Sequence, residues 1–126
     1  MTEAARLSGL RFAGGLASRC MDALRDVVLS AILHGSLTLG DFTPDRSDID
    51  LLLIVGGALS DDELAALRDA VAAAGDDVPR RVDVRVVTRA TAAVPPRLPA
   101  MEAEFTLRPG RAIECSTRAA SEQRAL

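Results

Sequence analysis

Three aspartates stand where carboxylates could do chemistry: Asp48 and Asp50 at the head of an apolar run, and Asp83 inside a second one. Asp48 and Asp50 are two residues apart, so on a strand both carboxylates project from one face. Like charges that close are destabilising unless a cation lies between them. A hard divalent cation asks for oxygen ligands on a rigid element, which an acid pair heading a buried strand supplies. Asp83, flanked by valines, can add a third oxygen from an adjacent strand. Three carboxylates are more than one Mg2+ ordinarily takes from protein. They suit a two-ion site, with ions about 3.5–4 Å apart bridging substrate phosphates.

A phosphate cradle lies upstream. Leu33-His34-Gly35-Ser36 precedes Asp48-Ile49-Asp50 by an eleven-residue gap. Glycine after a strand lets backbone amides come close to a phosphate, and the Ser36 hydroxyl can donate to a phosphate oxygen. A helical turn beginning at Leu37 would add N-terminal amides. Arg46 and His34 lie near the same place. Each has an ordinary alternative, an exposed turn arginine and a satisfied strand histidine. Gly35 could be a plain turn glycine. Asp83 could serve a salt bridge with Arg81 or Arg85.

These groups need a scaffold, and the pattern supplies one. Ile49–Val55 is an almost unbroken branched apolar run, as expected of a central strand covered on both faces. Ser60-Asp61-Asp62-Glu63 is a capping box. A helix then follows through Leu64, Leu67, Val71 and Ala74, with Gly75 as its stop. Arg80–Thr88 alternates as a strand, Val82, Val84 and Val86 on one side and Asp83, Arg85 and Val87 on the other. Glu102–Leu107 and Arg111–Ser116 read as a hairpin around Arg108-Pro109-Gly110-Arg111, with glycine at the third position of a type II turn. Earlier in the chain, Leu16–Leu29 reads as a helix with Met21, Leu24 and Val28 on its apolar stripe, and Ser30–Gly35 as a short strand. Leu37–Asp41 could be one helical turn, Phe42–Ser47 has turn chemistry, and Ala92–Pro99 is a proline-rich connector. Helices alternating with strands indicate an α/β fold, a single domain with a mixed β-sheet flanked by helices. The domain spans 16–116, between an N-terminal arm at 1–15 and a polar tail at 117–126.

Gly35-Ser36, the eleven-residue gap, Asp48-Ile49-Asp50 and Asp83 on a following strand resemble the nucleotidyltransferase superfamily of DNA polymerase β type. Within it, Leu33–Val55 is most similar to aminoglycoside adenylyltransferases acting on streptomycin and spectinomycin. The likeness extends through Val82-Asp83-Val84 and Pro95–Phe105. It implies the polymerase β-like fold and two Mg2+ ions on Asp48, Asp50 and Asp83, which are thereby the catalytic residues. It implies ATP or another NTP as co-substrate, its β- and γ-phosphates held by Gly35 and Ser36, with Ser47 a further contact. The reaction would be attack of an acceptor hydroxyl on the α-phosphorus, releasing pyrophosphate. The chain departs from these relatives in two ways. It stops where their helical second domain begins, and Leu107 stands where they carry a general base, two residues after the phenylalanine.

Composition narrows the partners. The 126 residues carry a net charge of −3 and 2% aromatics, with no lysine. There is neither a polyanion footprint nor a supply of stacking platforms, so no nucleic acid is expected. No signal peptide or spanning segment is apparent, which suits the cytoplasm and leaves no membrane partner expected. Cys20 and Cys115 match no metal spacing and read as small apolar fillers. The expected partners are an NTP and a hydroxylated, aminoglycoside-like small molecule, and a homodimer could lend the acceptor a surface. Two alternatives stay open. One is a minimal nucleotidyltransferase antitoxin modifying a HEPN-type helical partner protein, although Leu39 stands where that family has arginine. The other is a truncated, non-catalytic nucleotide-binding module.

Overall fold

The frame is built on one strand with no charge in its centre. In the computed structural model, which describes residues 3–34, 49–93 and 101–117, β2 (Ile49–Val55) has Ile49, Leu51, Leu53 and Val55 buried, with Asp50, Leu52 and Ile54 half-buried between them. The expected strand is present with the expected bounds. Its second face, however, is only partly covered, so the run of apolar residues reflects a central position rather than two dry faces. Each fully buried branched side chain contributes about 1.5–3 kcal/mol relative to exposure.

Around β2 the described residues form a five-stranded sheet in the order β1-β2-β3-β4-β5. β1 (Val28–His34) lies antiparallel to β2, and β3 (Val82–Thr88) parallel to it. β4 (Ala103–Leu107) and β5 (Glu114–Thr117) continue antiparallel. The parallel pair is joined through α2 (Asp61–Ala74), which starts at the expected capping box. Ser60 Oγ accepts from Glu63 N at 3.1 Å, and Glu63 Oε1 accepts from Ser60 N at 2.9 Å. Leu67, Val71 and Ala74 then turn inward. Gly75 ends the helix, with right-handed dihedrals rather than the left-handed glycine stop. Its amide donates to the Ala72 carbonyl, and a 3-10 turn (Gly75–Asp77) follows. A short helix α3 (Arg89–Ala93) follows β3.

The first helix differs from expectation at both ends. α1 runs Glu3–Ala23, so the expected arm at 1–15 is helical from Glu3 onward. Its buried stripe is Gly9, Ala13, Leu16 and Cys20, three of them small, which let the helix sit close to the sheet and left little apolar periodicity to read. At the other end the helix stops at Ala23. Asp26 adopts φ +65, a left-handed conformation that Asp tolerates better than most residues, and the chain turns into β1. Val28, expected on the helical stripe, therefore begins a strand, while Met21 is 42% exposed.

α1 and α2 pack on each other and on the face of the sheet formed by Ile49, Leu51, Val82, Val84, Val86, Phe105 and Leu107. The β4–β5 hairpin closes as expected. Arg111 N donates to the Arg108 carbonyl at 3.2 Å, and Gly110 takes φ +71, which only glycine adopts without strain. The expected helical turn at Leu37–Asp41, the turn at Phe42–Ser47, most of the proline-rich connector and nearly all of the tail fall outside the described residues.

The cysteines separate. Cys20 is fully buried, and desolvation raises its thiol pKa to about 11. Cys115 is exposed, contrary to the reading of it as a filler, because its strand is at the sheet edge. Partial burial raises its pKa, with Arg68 opposing the rise. An aromatic disulfide reagent at pH 8 should therefore titrate one thiol in the native protein and two after denaturation. Cys115→Ser should abolish the native reaction.

Candidate functional site

Alternation fixes where the acids point. Ile49 and Leu51 face the helices, so Asp50 between them faces away. Val82 and Val84 do the same on β3, so Asp83 shares that outer face. Parallel pairing then sets Asp50 directly beside Asp83. Neighbouring strands lie about 4.8 Å apart, so the two carboxylates spring from adjacent positions on one rigid surface. In the backbone register, His34 on β1 pairs with Asp50, and Thr106 on β4 pairs with Asp83.

Asp83 is the more constrained of the two. It is 4% exposed, and a buried carboxylate is costly unless paired and hydrogen-bonded. Thr106 Oγ1 donates to Asp83 Oδ1 at 2.9 Å, and Arg81 Nη2 stands 3.4 Å from Oδ2. Arg81 is thus the counter-charge, while Arg85, the other candidate, reaches Glu104 at 4.0 Å. The salt-bridge reading of Asp83 therefore has a geometric basis in Arg81.

Of the expected site residues, Asp50 and Asp83 are brought together. Asp48, Gly35, Ser36 and Ser47 lie outside the described residues, as does Arg46. Among the described residues no group of three metal-ligating side chains converges, so the Asp50–Asp83 pair would need a further donor such as Asp48. Leu107 is buried and turned toward the helices with Phe105, so in this register an acid at that position would not face Asp83. Glu102 is structural: it is 4% exposed, and its Oε1 accepts from Leu59 N at 2.9 Å. Thr106 was not singled out from the sequence. Its position opposite Phe105 in the hairpin arm marks it as facing away from the core, but only the sheet order shows that Asp83 is its neighbour.

A family model described as nucleotidyltransferase domain matches residues 17–112, most of the chain, from α1 through the β4–β5 turn. The chain belongs to the nucleotidyltransferase domain family. A comparison with curated proteins finds no match. Nucleotidyltransferase domains generally transfer a nucleotide from an NTP with the help of a divalent metal. The donor chemistry fits that cation. Two carboxylates share one face of the sheet, on rigid neighbouring strands, and hard oxygen donors are what Mg2+ takes. No described helix of this nucleotidyltransferase domain is long and apolar enough to cross a membrane.

Glu102→Ala should destabilise the fold by about 1–3 kcal/mol in chemical denaturation, the cost of leaving the buried Leu59 amide without its acceptor. Glu102→Gln, whose amide oxygen can still accept, should recover most of that loss.

Proposed function

We propose that this nucleotidyltransferase domain transfers AMP from ATP to a hydroxyl of an aminoglycoside-like small molecule, using Mg2+ held by Asp48, Asp50 and Asp83. The observation that carries the metal reading is the in-register pairing of Asp50 with Asp83 on the sheet face away from the helices. The preference for ATP and for an aminoglycoside-like acceptor rests on the resemblance of Leu33–Val55 to the adenylyltransferases of that class.

Each residue has a physical task. Gly35 leaves room for backbone amides to approach the triphosphate, Ser36 donates to its β- and γ-phosphates, and Ser47 adds a contact. Asp50 presents oxygens from β2 and Asp83 from β3, and Asp48, two residues before Asp50 in the sequence, would add a further donor. When bound, Mg2+ neutralises phosphate charge and polarises the phosphoryl oxygens. The acceptor hydroxyl attacks the α-phosphorus in line and gives its proton to solvent, the bond to the β-phosphate oxygen breaks, and pyrophosphate leaves with that electron pair. Positioning and electrostatic stabilisation provide most of the acceleration in this class of transfer. A rigid β2–β3 floor suits that task better than a loop.

Calorimetry should find ATP binding that depends on Mg2+. Asp50→Asn should weaken it at least tenfold in Mg2+ and leave the metal-free baseline unchanged, because an amide cannot offset the cation's charge. Equal ATP affinity with and without Mg2+, or an Asn variant that binds like the parent protein, would contradict the proposal. Transfer of label from α-labelled ATP to a panel of aminoglycosides tests the acceptor separately.

A further inference from the structure

We propose that Thr106 is a positioning residue for Asp83, and that Arg81 is the counter-charge a divalent cation displaces from it. This rests on the metal site proposed above and specifies how that site is kept ready without its ion.

Asp83 is buried, so its charge must be balanced at all times. Its two oxygens have different partners. Oδ1 accepts from Thr106 Oγ1 at 2.9 Å, a hydrogen bond between in-register partners on neighbouring strands. Both ends are anchored in the sheet, so this contact has little freedom to move. Oδ2 faces Arg81 Nη2 at 3.4 Å, longer than a charge-assisted hydrogen bond of about 2.7–2.9 Å. Arg81 is nearly half exposed, with its side chain 45% accessible, and it precedes β3 instead of lying within it. One oxygen is therefore held by a rigid neutral donor at short range, and the other faces a half-exposed guanidinium across a longer contact.

That asymmetry suits an exchange site. The Thr106 hydroxyl fixes the carboxylate's rotation and carries no charge to repel an incoming ion. Arg81 supplies the positive charge that the buried acid needs until the metal takes its place. Outer partners that orient metal-binding groups commonly change affinity by 10–100-fold when removed.

The test is Mn2+ binding to the whole chain in the presence of ATP, followed by electron paramagnetic resonance of the free ion, with thermal unfolding measured alongside. Thr106→Val should weaken Mn2+ binding about tenfold or more, and Thr106→Ser, which keeps the hydroxyl, should bind close to the parent protein. Arg81→Gln should bind Mn2+ more tightly by several-fold. It should also melt lower than the parent without metal and gain more from added Mn2+. A purely structural threonine would lower the melting temperature of the Val variant and leave its Mn2+ affinity unchanged. That result, with the parent protein binding, overturns the positioning role alone. An Arg81→Gln variant with unchanged or weaker affinity overturns the exchange role, and this arm holds even if the Val variant does not fold. Failure of the parent protein to bind Mn2+ with ATP overturns the metal site itself.

Discussion

The parallel register between β2 and β3 is the constraint on which the rest of the molecule depends. Ile49 pairs with Val82 and Leu51 with Val84, all four buried against the helices. A slip of one residue would turn one strand's core side chains outward and aim its aspartate at the helices. The apolar packing that fixes the register therefore also sets Asp50 beside Asp83. Core stability and the placing of the two carboxylates are two faces of one pairing. The helical side supplies the energy that holds the carboxylates together on the other side, where they repel each other.

Each neighbouring element adjusts that arrangement. α2 begins at a capped turn, which fixes the entry of the β2–α2–β3 connection, and Glu102 ties the start of β4 to the Leu59 amide just before α2. β4 in turn delivers Thr106 to Asp83. A hydrogen bond far from the acids, such as that from Leu59 to Glu102, thus bears on the carboxylate geometry through the placement of β4.

Much of this was legible in the sequence where apolar patterning and turn chemistry agreed. The run Ile49–Val55, the Ser60–Glu63 capping box, the Val82/Val84/Val86 alternation and the glycine of the Arg108–Arg111 turn each point to one local structure, and each is present. α1 was less legible because its buried stripe is made largely of Gly9, Ala13 and Cys20, whose small side chains give little periodic signal. Its end was hidden as well, since Asp26 reads as a solvated helix residue until its left-handed backbone is seen. For the site, the Asp48/Asp50 pair at the head of one strand and Asp83 inside another suggested partners, whereas Thr106 and the choice of Arg81 over Arg85 depend on the folded sheet, which no local pattern encodes.

The most direct measurement of the central claim is the location of the metal in solution. Mn2+ with ATP, added in small amounts to isotope-labelled protein, broadens amide signals steeply with proximity to the ion. The account predicts that Asp50 and Asp83 broaden first and Thr106 soon after, while Leu67 and Val71 on the buried face of α2 are affected last. Broadening centred instead on the acidic first turn of α2, Asp61, Asp62 and Glu63, with Asp50 and Asp83 spared, would contradict it.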